Sequence, residues 1–171
     1  MANRNSAGFG LIAQGTLGST PATGGQGKYY IVAAYGTTLY NGTTVKQSGG
    51  YVITAQAAIT NTSIGVLNGV FYNAATTLKP TWSAHYTDVT PANSENTTAF
   101  VIDNPFQLYV TSFDTAIPIA NMGKTFGMST ITGSTLSGQS TNSMLLAGGH
   151  ATANTWRTVR IAEDPENEDI T

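Results

Sequence analysis

Nowhere in this 171-residue chain do apolar residues recur at i, i+3, i+4 and i+7 between capping residues, the pattern that an amphipathic helix requires. In its place are short aromatic and β-branched runs, the residue types that suit a pleated, half-buried surface. They are Lys28 to Ala34, Tyr51 to Thr54, Ser63 to Tyr72, Thr81 to Tyr86, Ala99 to Asp103, Gln107 to Ser112, Ser143 to Leu146 and Thr155 to Ile161. Gly, Asn and Pro separate them, and strands at such short spacing indicate an all-β sandwich or barrel. Asn41-Gly42 lies between Thr37–Tyr40 and Thr43–Lys46 and predicts a β-hairpin, because a type I′ turn wants positive φ at both central positions. Ser48-Gly49-Gly50 is a second candidate turn. Gly65 and Gly69 within one strand-like run predict a bend, a bulge or a close backbone approach. Between Asp114 and Gln139 the pattern weakens and leaves room for a short helical turn.

Residues 1–27 read differently. Phe9, Leu11, Ile12 and Leu17 are apolar, but Gly, Ser, Thr, Gln and Pro21 interrupt them, and Gly24-Gly25-Gln26-Gly27 makes a flexible joint. A structureless loop of this length is unusual inside a compact domain. The expectation is an extended N-terminal arm (1–27), a β domain (28–162) and an acidic C-terminal tail (163–171).

Charge narrows the function. Five of the nine acids lie in residues 163–171, leaving four acids and seven Lys or Arg over the first 162 residues. The body therefore carries +3 and the tail −5, which gives the overall −2. Charged residues are 9% of the chain, against roughly a quarter in ordinary soluble domains. A surface of hydroxyls and amides is easier to desolvate than one of ammonium and carboxylate groups, so this chain is suited to packing against other protein. Scattered cations provide no patch for a phosphate backbone, and no nucleic-acid partner is expected. No apolar run reaches the ~18 residues of a membrane span, and the start shows no secretory signal pattern. With no cysteine, disulfides and thiolate metal sites are excluded.

Parts for catalysis are few. His85 and Asp88, with Glu95 nearby, are the one His–Asp combination, and three residues apart near a strand end they tend to face opposite sides of the pleat. His150 follows Gly148-Gly149 and reads as a turn residue. Gly123-Lys124-Thr125 mimics the end of a phosphate loop, but the required earlier glycine is Pro118. The acidic tail has a proline and no glycine where a calcium loop needs its turn. Neither a metal nor another cofactor is expected, and the chain reads as non-enzymatic. Trp82, Tyr86 and Trp156 would suit the groove of a carbohydrate-binding module, although core or interface packing is the commoner use of such rings.

Several stretches, in order, resemble the small head decoration (capsid-stabilising, or cement) proteins of tailed bacteriophages. Met1-Ala-Asn-Arg-Asn-Ser-Ala-Gly-Phe9 followed by a Gly-rich arm and Lys28-Tyr-Tyr-Ile-Val-Ala is similar to the family's start. Thr38 to Lys46, Ile64 to Phe71 and Pro80 to Tyr86 resemble its centre, and Ala99 to Phe106 and Trp156 to Glu168 its later landmarks. In that family the turn resembling Asp164-Pro-Glu-Asn-Glu168 usually leads into a further strand. The resemblance implies a virion protein on the outer surface of an icosahedral capsid, bound to the major capsid protein and commonly a homotrimer. Phe9, Leu11, Ile12 and Leu17 are then the expected capsid-binding anchors, since an extended arm can add main-chain hydrogen bonds to a sheet edge and fill pockets with alternate side chains. A tail-tube or fibre-associated β protein is the alternative virion role.

Overall fold

The computed structural model describes residues 8–18, 25–55, 62–146 and 155–162. Ten strands organise them: β1 (Ile12–Thr16), β2 (Gly27–Ile31), β3 (Thr44–Ser48), β4 (Tyr51–Thr54), β5 (Gly65–Asn73), β6 (Pro80–Ser83), β7 (Thr97–Ile102), β8 (Gln107–Val110), β9 (Thr125–Phe126) and β10 (Trp156–Arg157). The only helical elements among the described residues are two single 3₁₀ turns, Ala92–Ser94 and Ile119–Asn121. The second lies where the strand pattern fades. The fold is all-β, as the periodicity predicts, and the pairs between these strands are antiparallel.

Six strands form the main sheet in the order β2-β7-β5-β3-β4, with β6 attached to β5. β5 organises it. One edge pairs along its length with β7; on the other edge its first residues pair with β3 and its last four with β6. The sheet curls until β2 and β4, at opposite ends of the path, touch. They are not hydrogen-bonded neighbours, so the curl does not close into a barrel. Inside it lies a first core of Ile31, Leu39, Val45, Val52, Leu67, Val70, Tyr86, Ala99 and Val101.

A second core packs on the other face of the same sheet. It contains Leu11, Val66, Phe126, Met128 and Met144, with Tyr109, Phe113 and Trp156 at its margin. Adjacent residues of a strand point to opposite faces, and β5 uses this directly: Val66 enters the second core and Leu67 the first. Leu67 and Val70, three residues apart, still share the first core because the pairing with β7 shifts register between Leu67 and Gly69. The extra residue, Asn68, resets the alternation. The bulge is also tied down, since the Asn41 side-chain amide donates to the Asn68 carbonyl at 2.7 Å.

The turn at Asn41-Gly42 corrects a sequence expectation. Thr43 N–H donates to the Tyr40 carbonyl at 3.1 Å and only Gly42 of the central pair has positive φ, +83°, so the turn has the type II form. Its flanks part company: Leu39 exchanges backbone bonds with Tyr86, while Thr44 pairs with Val66. The two-residue hairpin is Gly49-Gly50, where φ is +58° and +86° and Ser48 pairs with Tyr51. Both central residues there take the left-handed conformation that the right-handed twist of the strands selects.

Residues 8–18 do not extend away from the domain. β1 pairs antiparallel with β8 from Ile12–Val110 to Thr16–Gln107. Gly10 N–H donates to the Asn142 carbonyl, and Leu11 N–H to that of Gly42. The expectation of an arm over 1–27 is thus corrected for these residues by main-chain pairing and by burial of Leu11. The expected strands at Ser143–Leu146 and Thr155–Ile161 shrink to bridges at Met144 and to the two-residue β10. The expected acidic tail, 163–171, lies outside the described residues.

Candidate binding surface

Among the described residues none of the candidate catalytic groups assembles. His85 stacks on Tyr40, with ring centroids 6.1 Å apart and planes within 8°, and its imidazole lies against Gly138. Asp88 is turned elsewhere: its carboxylate accepts from the Gly36 N–H at 2.6 Å and lies 3.5 Å from the Tyr86 hydroxyl. It caps a loop. Lys124 donates to the Asn121 side-chain carbonyl at 2.8 Å, and Gly123 N–H to the Thr158 carbonyl, so this segment is a stapled turn. No group of three His, Cys, Asp or Glu residues able to hold a metal occurs among the described residues. His150 lies outside them.

The aromatic candidates separate cleanly. Tyr86 is fully buried in the first core; it accepts from the Tyr35 N–H at 3.2 Å and donates to the Val89 carbonyl at 3.3 Å. Burial raises its hydroxyl pKa. Trp156 meets Tyr109 edge-on at 5.3 Å, and its indole N–H donates to the Thr44 hydroxyl at 3.2 Å. Tyr109 donates to the Ile102 carbonyl at 3.1 Å, and burial, with the nearby Asp103 charge, pushes its pKa well above the usual tyrosine value. These rings hold the second core onto the sheet. Trp82 alone of the three points to solvent, 59% exposed.

Trp82 has company that the sequence does not advertise. It pairs with Phe71 on β5, Phe71 with Thr98 on β7, and Thr98 with Tyr30 on β2. The four residues therefore form one row across four adjacent strands, on the face opposite the first core. Phe71 is 40% and Tyr30 55% exposed. Among the described residues the second core meets this face at Val66, at the other end of β5. The row stays open. Along these four strands Lys28, opposite Phe100 in the next row, is the only charged residue on that face.

The indole of Trp82 lies across Gly69: a Cβ built on Gly69 would stand 2.7 Å from Trp82 Cζ2. One side of the ring is thus seated on bare backbone, which explains the close approach that Gly69 predicts. The rest of the row needed register. Phe71, Thr98 and Tyr30 are 11 to 68 residues from Trp82 and from one another in positions that only strand pairing brings together.

The expected anchors divide. Leu11 is 3% exposed and belongs to the second core, so it is not accessible to a partner. Phe9 is half-buried. Ile12, at 41%, and Leu17, at 50%, are exposed on and just after β1. Leu17 N–H donates to the carbonyl of Phe106, itself an exposed ring, so Leu17 and Phe106 stand together at one end of the β1–β8 ribbon. Among the described strands β1 pairs with β8 alone.

Comparison with protein-family models, with curated proteins and with solved structures returns no match of any of the three kinds.

Proposed function

We propose that this chain is a non-enzymatic virion structural protein, a decoration protein that binds the outer surface of an icosahedral phage head and strengthens the junctions between coat subunits. The observation that carries the reading is charge depletion: 11 charges over the first 162 residues of a chain whose described strands carry exposed rings. Contacts made by such a surface desolvate few ions, so the penalty that opposes burial of charged groups is small. The ordered resemblance to head decoration proteins points the same way. Attachment would use the β1 ribbon, with Ile12 and Leu17 at its exposed positions as the side chains that meet the coat protein. Trimers engaging several coat subunits at once would turn modest contacts into firm retention.

Mass spectrometry of purified particles, with copy number per capsid hexamer, tests this. The expected result is a fixed stoichiometry on intact and on tail-less heads. Absence from heads, presence only in tails, or assembly of the free protein into stacked rings would overturn it in favour of a tail role.

A further inference from the structure

We propose that the open face of the main sheet binds a neutral polysaccharide, with sugar rings stacked on Trp82, Phe71 and Tyr30. This goes beyond head decoration and does not depend on it.

The geometry is that of a stacking platform. The row spans three strand spacings, about 14 Å from β6 to β2, the length of a short oligosaccharide lying across the strands. Trp82 is seated on Gly69 and keeps its other side open to solvent. Phe71 and Tyr30 are held on paired strands of one sheet, so little freedom remains to be lost on binding. Thr98 sits between the rings, and Asn73 ends the same face of β5; both supply polar groups for sugar hydroxyls. A pyranose offers a C–H face to a ring and hydroxyls around its rim, which matches aromatic groups interleaved with Thr and Asn.

Area and charge select this occupant over the others. Aromatic side chains bury about 150–250 Å² each when fully covered; at the exposures given above, the three rings offer on the order of 350 Å². A stable protein interface needs about 800 Å² per partner, so the row alone is too small for a dimer. Single-stranded nucleic acid also stacks on aromatic platforms, but it requires a cationic groove to follow the phosphates. Here Lys28 is the sole charge on the four strands' open face. A neutral, hydroxyl-bearing chain is what remains.

The test uses the full-length chain in pull-downs with insoluble cellulose, chitin, xylan and starch, followed by titration with soluble oligomers of whichever binds. Heparin serves as a charged control. The expected result is binding to at least one neutral polysaccharide, none to heparin, and a loss of about tenfold or more in Trp82→Ala and in Tyr30→Ala. Trp82→Phe should keep part of the affinity, and unchanged near-ultraviolet circular dichroism outside the Trp82 band would show that the variants fold. Binding to none of the four, or binding that survives both alanine substitutions, would overturn the proposal. So would light scattering that shows oligomers dissociated by Trp82→Ala, because a second copy would then cover the face.

Discussion

The Trp82 indole rests on Gly69, with Cζ2 2.7 Å from where a Cβ at position 69 would stand. Glycine in a strand interior usually weakens it, having no side chain to pack. Here a neighbouring strand's ring fills the gap, and the glycine fixes where the ring can lie. Gly69→Ala should displace the indole and destabilise the fold by about 1 kcal/mol, within the range for overpacking. Urea unfolding would measure the loss, and tryptophan fluorescence would report the displaced ring. Unchanged values for both would show that the indole is not held by the backbone.

Leu11 and Leu17 should behave oppositely although both belong to the apolar N-terminal pattern. Leu11→Ala removes a side chain from the second core and should cost about 2–5 kcal/mol. Leu17→Ala, at an exposed position, should change stability by less than about 0.5 kcal/mol while weakening retention on heads. Denaturant unfolding of the two variants, alongside head-binding of Leu17→Ala, separates a core role from an anchoring role.

Deleting residues 1–20 should do more than release an anchor. It removes β1 and Leu11 together, uncovering Val66, Phe126 and Met144. The truncated chain should unfold at markedly lower denaturant concentration and expose an apolar surface that binds a hydrophobic dye. A truncated chain as stable as the full one would show that β1 contributes nothing to the second core.

Gly50→Ala places a Cβ at φ +86° in the β3–β4 turn. The left-handed conformation costs a non-glycine residue roughly 1–2 kcal/mol, and thermal unfolding should register a loss of that order. Asn41→Ala tests a different contact, the amide bond to the bulged Asn68 carbonyl. It should cost about 1 kcal/mol, because a partly buried carbonyl would lose its protein partner.

Alkali should weaken the fold through three tyrosines. The hydroxyl pKa is raised for Tyr29 by its hydrogen bond to Asp103, and for Tyr86 and Tyr109 chiefly by burial. A group whose folded pKa exceeds its unfolded value of 10.0 contributes stability that is complete below that pH. The contribution is lost as pH rises through the folded value. Melting temperature should therefore hold up to about pH 9 and fall beyond about pH 10. Tyr109→Phe should flatten that fall, and an identical slope in the variant would remove Tyr109 as its source.

Much of the fold is legible in local chemistry. Strand-forming runs mark β2, β4, β5, β6, β7 and β8 within a few residues, because their alternation and β-branched content express half-burial directly. Gly49-Gly50 marks its turn for the same reason. Asn41-Gly42 misleads: it carries the hairpin signature, yet the type II form wins because Leu39 and Thr44 have better partners in Tyr86 and Val66 than in each other. β1 escapes notice since its residues, Ile12-Ala-Gln-Gly-Thr16, have weak strand character and are ordered by pairing with β8 about ninety residues away, through contacts whose loop-closure entropy no local pattern records. β9, two residues long, is too short for any periodicity, and the alternation of Thr155 to Ile161 overstates β10, in which only Trp156 and Arg157 pair.

What the sequence determines by itself is the class of structure and the character of its surface. Period-two patterning, turn residues and scarce charge dictate an antiparallel β protein with a nearly neutral exterior, since these properties belong to each residue and its immediate neighbours. Which rings are buried and which face outward is decided only by tertiary structure. Trp156 and Trp82 both lie in strand-like runs of similar composition, yet the first closes a core and the second opens onto solvent. The reason is register: a single extra residue at Asn68 sets the alternation of β5, and a pairing offset by one would turn Phe71 toward the core and break the row it shares with Trp82, Thr98 and Tyr30.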